Sequence, residues 1–364
     1  MKTNKIRYAM VLELIVLVAL IGVYVVKNTS SNDGMENSYT VSGQSQTEGE
    51  GTKKKDYIKW VDFNVTCTAL SDAYKVDVET YKSDVHVEWI KLLAYLACKN
   101  GGDFKKYKTS DLTQVVEKLK KKETTMEELT KDLKYYSYFY DAYSAVLGGF
   151  VGEYQIEKTS EDGSVAKTWE TQYGLKAFLP IAKNFPYNDF DDFGVSRSYG
   201  YKRKHLGHDM MGQTGTPIVA VESGVVEALG WNQYGGWRIG IRSFDTKRYY
   251  YYAHLRQNYP YCKELEVGSV VTAGDVIGYL GRTGYSKKEN TNNIDCAHLH
   301  FGIQIIFDES QKEGNNEIWI DCYNIVRFLY QNQSETKKVA DSKEWKRITP
   351  MKDPMVEEYK KTKQ

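Results

Sequence analysis

The chain has 364 residues, a length that accommodates roughly two or three domains of ordinary size. Hydrophobic residues make up 41% of it and charged residues 27%, a composition typical of a globular protein. The formal net charge of +1 excludes a global charge imbalance, so neither a nucleic-acid partner nor a strongly acidic partner is predicted.

An apolar run at the N-terminus has the length of a membrane-spanning helix. Residues 8–26 follow three basic residues and contain one charged side chain, Glu13, close to the basic end. At about 1.5 Å per residue this run nearly matches a hydrocarbon core about 30 Å thick. An uncleaved anchor is favoured over a cleaved signal peptide because no small-residue cleavage site follows. Residues 1–28 are therefore predicted to be a cytoplasmic tail and single-pass cell-membrane anchor, and either alternative exports the remaining chain.

The next two regions differ sharply in composition. Residues 29–55 are polar and almost free of apolar side chains, which predicts a flexible linker. Residues 56–152 place apolar residues at helical spacing, which predicts a small helical domain. Its only histidine, His86, has no second ligand candidate nearby and is interpreted as a surface or capping residue. The role of this domain stays open between spacing, targeting and binding of a protein partner.

Three helix starts are recognisable in the helical region. The pair Ser83–Asp84 is expected to cap a helix that ends at Asn100, before two glycines. Ser110 is expected to open a second helix. Thr125 and Glu128 have the spacing of a capping box and predict a third.

From residue 153 the pattern changes to short β-rich runs separated by turns. A hairpin is predicted over residues 154–169, with its turn at 161–164. Such closely spaced strands favour an antiparallel sheet over βαβ units. The β-rich region ends near residue 330, and residues 331–364 are predicted to be a charged C-terminal tail, either a peripheral helix or a loose segment. The expected strands are 217–221, 224–229, 238–243, 249–254, 276–280 and 298–305.

Five of the six histidines lie in the β-rich region, in a pattern that predicts a metal site. His205 and Asp209 are four residues apart, and His298 and His300 project from the same face if they lie on a strand. A third histidine, His254, ends a strand-like run between these motifs. Imidazole nitrogen and carboxylate oxygen both suit zinc, and a catalytic zinc site uses three protein ligands. His205, Asp209 and one of the two later histidines would supply them.

Two neighbours of these motifs are interpreted separately. His208 is adjacent to Asp209 and is expected to point elsewhere, in a packing or surface role. Cys296, two residues before His298, could be a thiolate near the metal, a disulfide partner or a buried residue, and the last is favoured. The five cysteines contain no CxxC pair, so a zinc ribbon is not predicted.

Taken in order, the motifs resemble a known family. His205-x-Gly207-x-Asp209, Tyr252-Ala253-His254-Leu255 and His298-Leu299-His300-Phe301 look like the three signatures of the lysostaphin-type (LytM-like) peptidoglycan endopeptidases. The resemblance extends over residues 192–305. It implies that His205, Asp209 and His300 bind one zinc ion and that His298 and His254 are catalytic histidines.

The resemblance also implies an architecture and a function. The expected fold is α+β, with an N-terminal membrane helix, a helical domain and a mainly antiparallel-β zinc metallopeptidase domain of the lysostaphin-like, duplicated hybrid motif type over residues 153–330. The expected activity is hydrolysis of peptide bonds in peptidoglycan stem peptides or cross-bridges, outside the cell membrane. The alternative is a catalytically silent extracytoplasmic scaffold or regulator that binds a partner or cell-wall glycan with the same fold.

Overall fold

The computed structural model describes residues 57–159, 167–199, 201–312, 314 and 316–363. The predicted membrane anchor (residues 1–28) and the predicted linker (residues 29–55) both lie outside the described residues. Within the described part of the chain, no helix is long and apolar enough to cross a membrane. All described residues belong to one compact unit that extends from Asp56 to Gln364.

Helices come first along the described chain and confirm the helical character predicted for this region. The capping box predicted from Thr125 and Glu128 is present, with both reciprocal hydrogen bonds formed at the start of the helix Met126–Thr130. The second helix ends as predicted, where Gly101 adopts a left-handed conformation with φ of +63°. The helices of this region are α1 (Cys67–Thr80), α2 (Trp89–Asn100), α3 (Thr109–Lys120), α4 (Met126–Thr130) and α5 (Tyr136–Leu147).

The predicted start of α2 is wrong. The helix begins at Trp89, five residues after the Ser83–Asp84 pair that was expected to cap it. Its free backbone amide is satisfied from another helix, because Trp89 N donates to Asp77 Oδ2 of α1 over 2.9 Å. A buried carboxylate distant in sequence therefore replaces the local cap. The same carboxylate accepts from His86 Nε2 at 2.8 Å, so that histidine is tied to the helix pair.

An antiparallel sheet forms the centre of the β-rich region, as predicted. Its strands are β3 (Asn188–Asp189), β6 (His208–Met211), β8 (Gly224–Asn232), β9 (Gly236–Ser243), β10 (Arg248–Ala253), β11 (Val270–Val271), β13 (His298–Ile305) and β14 (Ile318–Ile320). Their order across the sheet is β11-β8-β9-β10-β13-β6-β3, and β14 pairs with β13 outside this path. Smaller pairs surround it: β1 (Val151–Thr159) with β2 (Lys167–Leu175), β4 (Ser196–Tyr199) with β5 (Tyr201–Lys204), and β7 (Pro217–Val219) with β12 (Val276–Tyr279).

The two faces of the central sheet have different roles. Alternate residues of β9, β10 and β13 are buried and apolar, and they pack in one core with the helices. Examples are Ile241, Tyr250 and Phe301, each with no exposed surface. The opposite face carries Tyr251, His300 and their neighbours, which line a cleft. Because helices and sheet share one core, the boundary placed between residues 152 and 153 stays a prediction.

The C-terminal residues are ordered around the β1–β2 hairpin, which is paired as the sequence predicts. The region predicted as a charged tail forms β15 (Thr336–Lys338), β16 (Trp345–Arg347), β17 (Met351–Lys352) and α7 (Pro354–Thr362), after α6 (Tyr323–Leu329). β17 pairs with β1, placing Gln155 opposite Lys352. Buried Asp353 caps the N-terminus of α7. Its carboxylate also accepts a hydrogen bond at 3.0 Å from Nζ of Lys176, the residue that follows β2. A buried ion pair thus fastens this segment to the rest of the molecule.

A buried arginine joins the helical region to the sheet. Arg248 of β10 makes a two-pronged ion pair with Glu222, with Nε to Oε2 at 2.7 Å and Nη2 to Oε1 at 3.1 Å. Its Nη1 donates to the carbonyl oxygen of Ala145 at 2.7 Å, near the end of α5. Tyr250 donates a short hydrogen bond to the same carboxylate. A cation at a helix C-terminus also suits the helix dipole.

We expect Arg248→Met to lower the free energy of unfolding by about 3–5 kcal/mol, because it leaves the Glu222 carboxylate buried without its cation. Urea denaturation followed by circular dichroism measures the change. Lys337→Met on exposed β15 is the control for loss of a surface charge and should have little effect. Adding Glu222→Leu to the first variant should restore part of the loss; equal midpoints for wild type and Arg248→Met would contradict the prediction.

Candidate metal centre

Three predicted ligands converge at one end of the cleft. His205 lies in the turn between β5 and β6, Asp209 is on β6 and His300 is on β13, directly opposite Asp209 in the sheet register. His205 Nε2 is 3.0 Å from Asp209 Oδ1 and 3.0 Å from His300 Nδ1, and His300 Nδ1 is 2.9 Å from Asp209 Oδ1. Three potential ligand atoms therefore form a nearly equilateral triangle.

The triangle fits a small cation. His205 Nδ1 lies 3.1 Å from the carbonyl oxygen of Asp192, which can only accept, so Nδ1 carries the proton and Nε2 presents a lone pair. That lone pair faces the carboxylate of Asp209, which also only accepts. Facing lone pairs are unfavourable unless a proton or cation lies between them. Ligands on a tetrahedral zinc ion with bonds of about 2.1 Å are about 3.4 Å apart, close to the spacing observed.

A glycine explains how the first motif brings its two ligands beside His300. A Cβ atom on Gly207 would lie 2.5 Å from His300 Cε1 and 2.9 Å from the carbonyl oxygen of Phe301. Any side chain would therefore collide with the imidazole and with the backbone of β13. The glycine between His205 and Asp209 lets β6 approach β13 closely enough to complete the triangle.

The carboxylate of Asp209 is held from both sides. Its Oδ2 accepts a hydrogen bond from Arg197 Nη2 at 3.0 Å, and the same guanidinium bonds the side chain of Asp192 at 2.5 Å. Burial alone would raise the pKa of Asp209, but hydrogen bonds with His205 and His300 hold its pKa well below the ordinary value. The group is therefore an anion at neutral pH, which is the form that binds a metal ion.

The two predicted catalytic histidines lie beside the triangle with one nitrogen each free for chemistry. Nδ1 of His254 bonds the carbonyl oxygen of Thr283 at 2.9 Å, and Nδ1 of His298 bonds that of Cys296 at 2.9 Å. A carbonyl only accepts, so both Nδ1 atoms are protonated and both Nε2 atoms carry lone pairs. Burial lowers the pKa of His254 well below its ordinary value, with smaller contributions from His298 and His300.

The same five side chains border one cleft of about 710 Å³. Its floor is the open face of the sheet, where Tyr251 meets the ring of His300 edge-on at 5.9 Å and Trp319 at 6.1 Å. Sequence reasoning missed both aromatic residues as site residues. Tyr251 could have been found from the alternation of a strand that ends at His254, whereas Trp319 comes from β14 and has no local signal.

Other residues singled out in the sequence lie in different places. His208 points away from the triangle, is buried, and bonds Asp189 Oδ2 at 3.0 Å, as expected for a packing role. The favoured interpretation of Cys296 is wrong: it is exposed, has a free thiol and lines the cleft. The contact of Cys296 with His298 is made by its backbone carbonyl, at 2.9 Å from His298 Nδ1, and so does not require burial of the thiol. The metal and catalytic roles of the five residues stay predictions from the sequence.

The chain has recognisable relatives. Residues 203–316 match the family described as Peptidase family M23. The chain is 34% identical over 166 residues to the L-Ala–D-Glu endopeptidase of Bacillus subtilis (strain 168), which covers 45% of this chain and 47% of that protein. It is 37% identical over 98 residues to lysostaphin of Staphylococcus simulans, which covers 27% of this chain and 17% of lysostaphin.

The chain thus spans about half the length of the first relative and under a fifth of the second. Among solved structures, a Ruminococcus gnavus ATCC 29149 protein assigned as the glycyl-glycine endopeptidase lytM is 25% identical. The superposition covers 74% of this chain and 89% of that one, with a TM-score of 0.47.

Proposed function

We propose, because residues 203–316 match the family described as Peptidase family M23, that this protein is a zinc-dependent endopeptidase that hydrolyses peptide bonds in the stem peptides or cross-bridges of peptidoglycan. The observation that carries the proposal is the triangle of His205, Asp209 and His300, whose ligand atoms lie 2.9–3.0 Å apart at the end of an open cleft. Relatives named as an L-Ala–D-Glu endopeptidase and as lysostaphin support the choice of peptidoglycan as substrate.

The three residues of the triangle would hold the zinc ion. When bound, zinc supplies a Lewis acid and makes water a stronger acid, so that hydroxide is available near neutral pH. Burial lowers the pKa of His300, which favours its neutral form, and a backbone carbonyl accepts from Nδ1 of His205, which leaves Nε2 of His205 to bind the metal. Burial alone would lower the pKa of His205 too, but the hydrogen bond and the charge of Asp209 raise it, so His205 would have to release a proton at low pH before it binds the metal. Asp209 contributes the single negative charge, and Arg197 keeps its second oxygen turned away from the triangle.

The two remaining histidines are suited to proton transfer and to charge stabilisation. With Nδ1 bonded to a carbonyl, each has its Nε2 lone pair left for the cleft, where it can take a proton from water and return it to the leaving amine. After protonation, the same Nε2 can donate a hydrogen bond to the oxyanion of the tetrahedral intermediate.

We further propose that the reaction takes place outside the cell membrane, with the chain held there by the apolar run at residues 8–26. The proposal depends on the length of that run and on the basic residues before it, since these features predict an exported C-terminal part. The helical region would then lie between membrane and cell wall, where it could bind a protein partner. Fractionation of cells into membrane and soluble extracts, followed by protease treatment of intact protoplasts, tests the location.

The activity is tested by incubating purified peptidoglycan with the full-length protein and identifying the released fragments by mass spectrometry. We expect new amino and carboxyl termini in the peptide part of the wall, with complete loss of product after treatment with a chelator and recovery when zinc is added back. The glycan strands should remain uncut. Binding to the wall without any release of fragments would contradict the enzymatic proposal and would favour the scaffold alternative.

A further inference from the structure

The cleft has more positive than negative charge along its lining. Two carboxylates line the cleft. Asp209 belongs to the ligand triangle, and Glu317 accepts a hydrogen bond from Trp319 Nε1 at 2.8 Å. A cleft of this character attracts an anionic ligand more strongly than a neutral one. The basic residues that line it are Arg197, Arg203, Lys204, Arg238 and Lys312, and the carboxylates are Asp209 and Glu317.

Arg238 differs from Arg197 and Lys312, two other half-buried cations of the cleft. Arg197 is paired with Asp192 and Asp209, and Lys312 Nζ is paired with Glu227 at 2.7 Å. No carboxylate among the described residues lies within 4.0 Å of the Arg238 guanidinium. The Nε atom of Arg238 is also buried and has no hydrogen-bond partner among the described residues.

A buried donor without a partner is costly, and a guanidinium is shaped to bind a carboxylate with two parallel hydrogen bonds. Within the protein, the Arg238 side chain interacts with the hydroxyl of Tyr249, which is a neutral partner. The Arg238 charge is therefore available to a ligand in the cleft.

The sheet register fixes how far Arg238 lies from the ligand triangle. Ile239 of β9 is paired with Tyr252 of β10, so the same register places the next residue, Arg238, level with Ala253. Ala253 is in turn paired with His300 of β13. Two strand spacings of about 4.8 Å separate the backbones of Arg238 and His300 by about 10 Å. An extended peptide advances about 3.3–3.6 Å per residue, so an arginine side chain at this position reaches groups within about two residues of the bond being cut.

We propose that Arg238 is a specificity-determining residue that binds a carboxylate of the substrate within about two residues of the scissile bond. The substrate is then an acidic stem peptide, and neutral glycine cross-bridges are poor substrates. This inference rests on the proposed endopeptidase function and narrows it to one class of peptide.

The test compares cleavage of stem peptides in which each carboxyl group is free or amidated in turn, with pentaglycine as a neutral peptide. Wild-type protein is expected to cut the free acid with a kcat/KM at least about 10-fold above that for one of the amides, and to leave pentaglycine uncut. Arg238→Gln should lower kcat/KM for the acid by a similar factor and leave the value for that amide unchanged. Arg327→Gln, which removes an exposed arginine on α6 outside the cleft, is the matched control and should behave as wild type.

Two results would overturn the inference: equal cleavage of the acid and all amides by wild type, or an acid preference that survives in Arg238→Gln. In both cases the peptidase function itself would stand. If no peptide is cut, the proposed function fails, and calorimetric titration of acid and amide into the full-length protein decides the inference separately. Tighter binding of the acid, lost in Arg238→Gln, would support carboxylate recognition; equal affinities would reject it.

Discussion

Asp209→Ala is expected to remove both bound zinc and hydrolysis of peptidoglycan. Asp209 is the one anion of the triangle, and its Oδ1 lies 3.0 Å from His205 Nε2 and 2.9 Å from His300 Nδ1. Without it, two imidazoles would have to bind a dication beside the guanidinium of Arg197, which keeps only Asp192 as a carboxylate partner after losing Asp209 at 3.0 Å. We expect zinc content below one tenth per protein and a loss of activity of more than about 10³-fold.

Zinc content by plasma emission spectroscopy and release of wall fragments measure the two effects on the same protein sample. Asp84→Ala is the matched control, because Asp84 is an exposed aspartate of the helical region that is remote from the cleft. Circular dichroism of the Asp209→Ala protein shows whether the fold persists. A folded Asp209→Ala protein with full zinc occupancy would refute the ligand assignment.

Arg197 supports the ligand triangle from one side, through contacts that the three sequence motifs do not predict. It donates hydrogen bonds to Oδ2 of Asp209 and to the side chain of Asp192, while the backbone carbonyl of Asp192 accepts a hydrogen bond from Nδ1 of His205. One short segment therefore orients two of the three predicted ligands. Such outer contacts commonly fix the tautomer and direction of metal-binding side chains.

The predicted strands agree with the structure, and the predicted ligand side chains lie together in it, because both expectations depend largely on local periodicity. Residues i and i+2 of a strand share a face, so His298 and His300 had to lie together wherever β13 was placed. The close match of predicted and observed strands has the same origin. The pairing of His300 with Asp209 is less local and was not predicted; the structure shows that Gly207, between His205 and Asp209, permits the close approach.

Features that depend on contacts distant in sequence were not predictable. The start of α2 is set by Asp77, a side chain of another helix, and not by the residues at its own terminus. Trp319 reaches the cleft because β14 pairs with β13, and no sequence pattern around Trp319 predicts that pairing. The availability of Arg238 depends on which carboxylates other elements bring near it. Each case is decided by tertiary packing, which periodicity does not encode.

His298→Ala is expected to keep zinc and lose turnover, in contrast to Asp209→Ala. Both residues of the His298–His300 pair face the cleft, but the sheet register pairs His300 with Asp209 and His298 with Met211. His298 Nε2 consequently lies 3.8 Å from Asp209 Oδ1, whereas His300 Nδ1 lies 2.9 Å from it. The longer distance places His298 beside the ligand triangle and not within it.

The expected decrease in kcat is about 10²–10⁴-fold, the usual contribution of a general base or acid. Zinc content should match that of wild type, and binding of an uncleaved wall fragment should be retained. His86→Ala is the control, since this histidine is bonded to Asp77 in the helical region. Loss of zinc in His298→Ala would make His298 a ligand, and wild-type turnover would exclude its catalytic role. Measuring metal and turnover together therefore separates two neighbouring histidines that the sequence motif presents as equivalent, because only their positions along β13 relative to Asp209 differ.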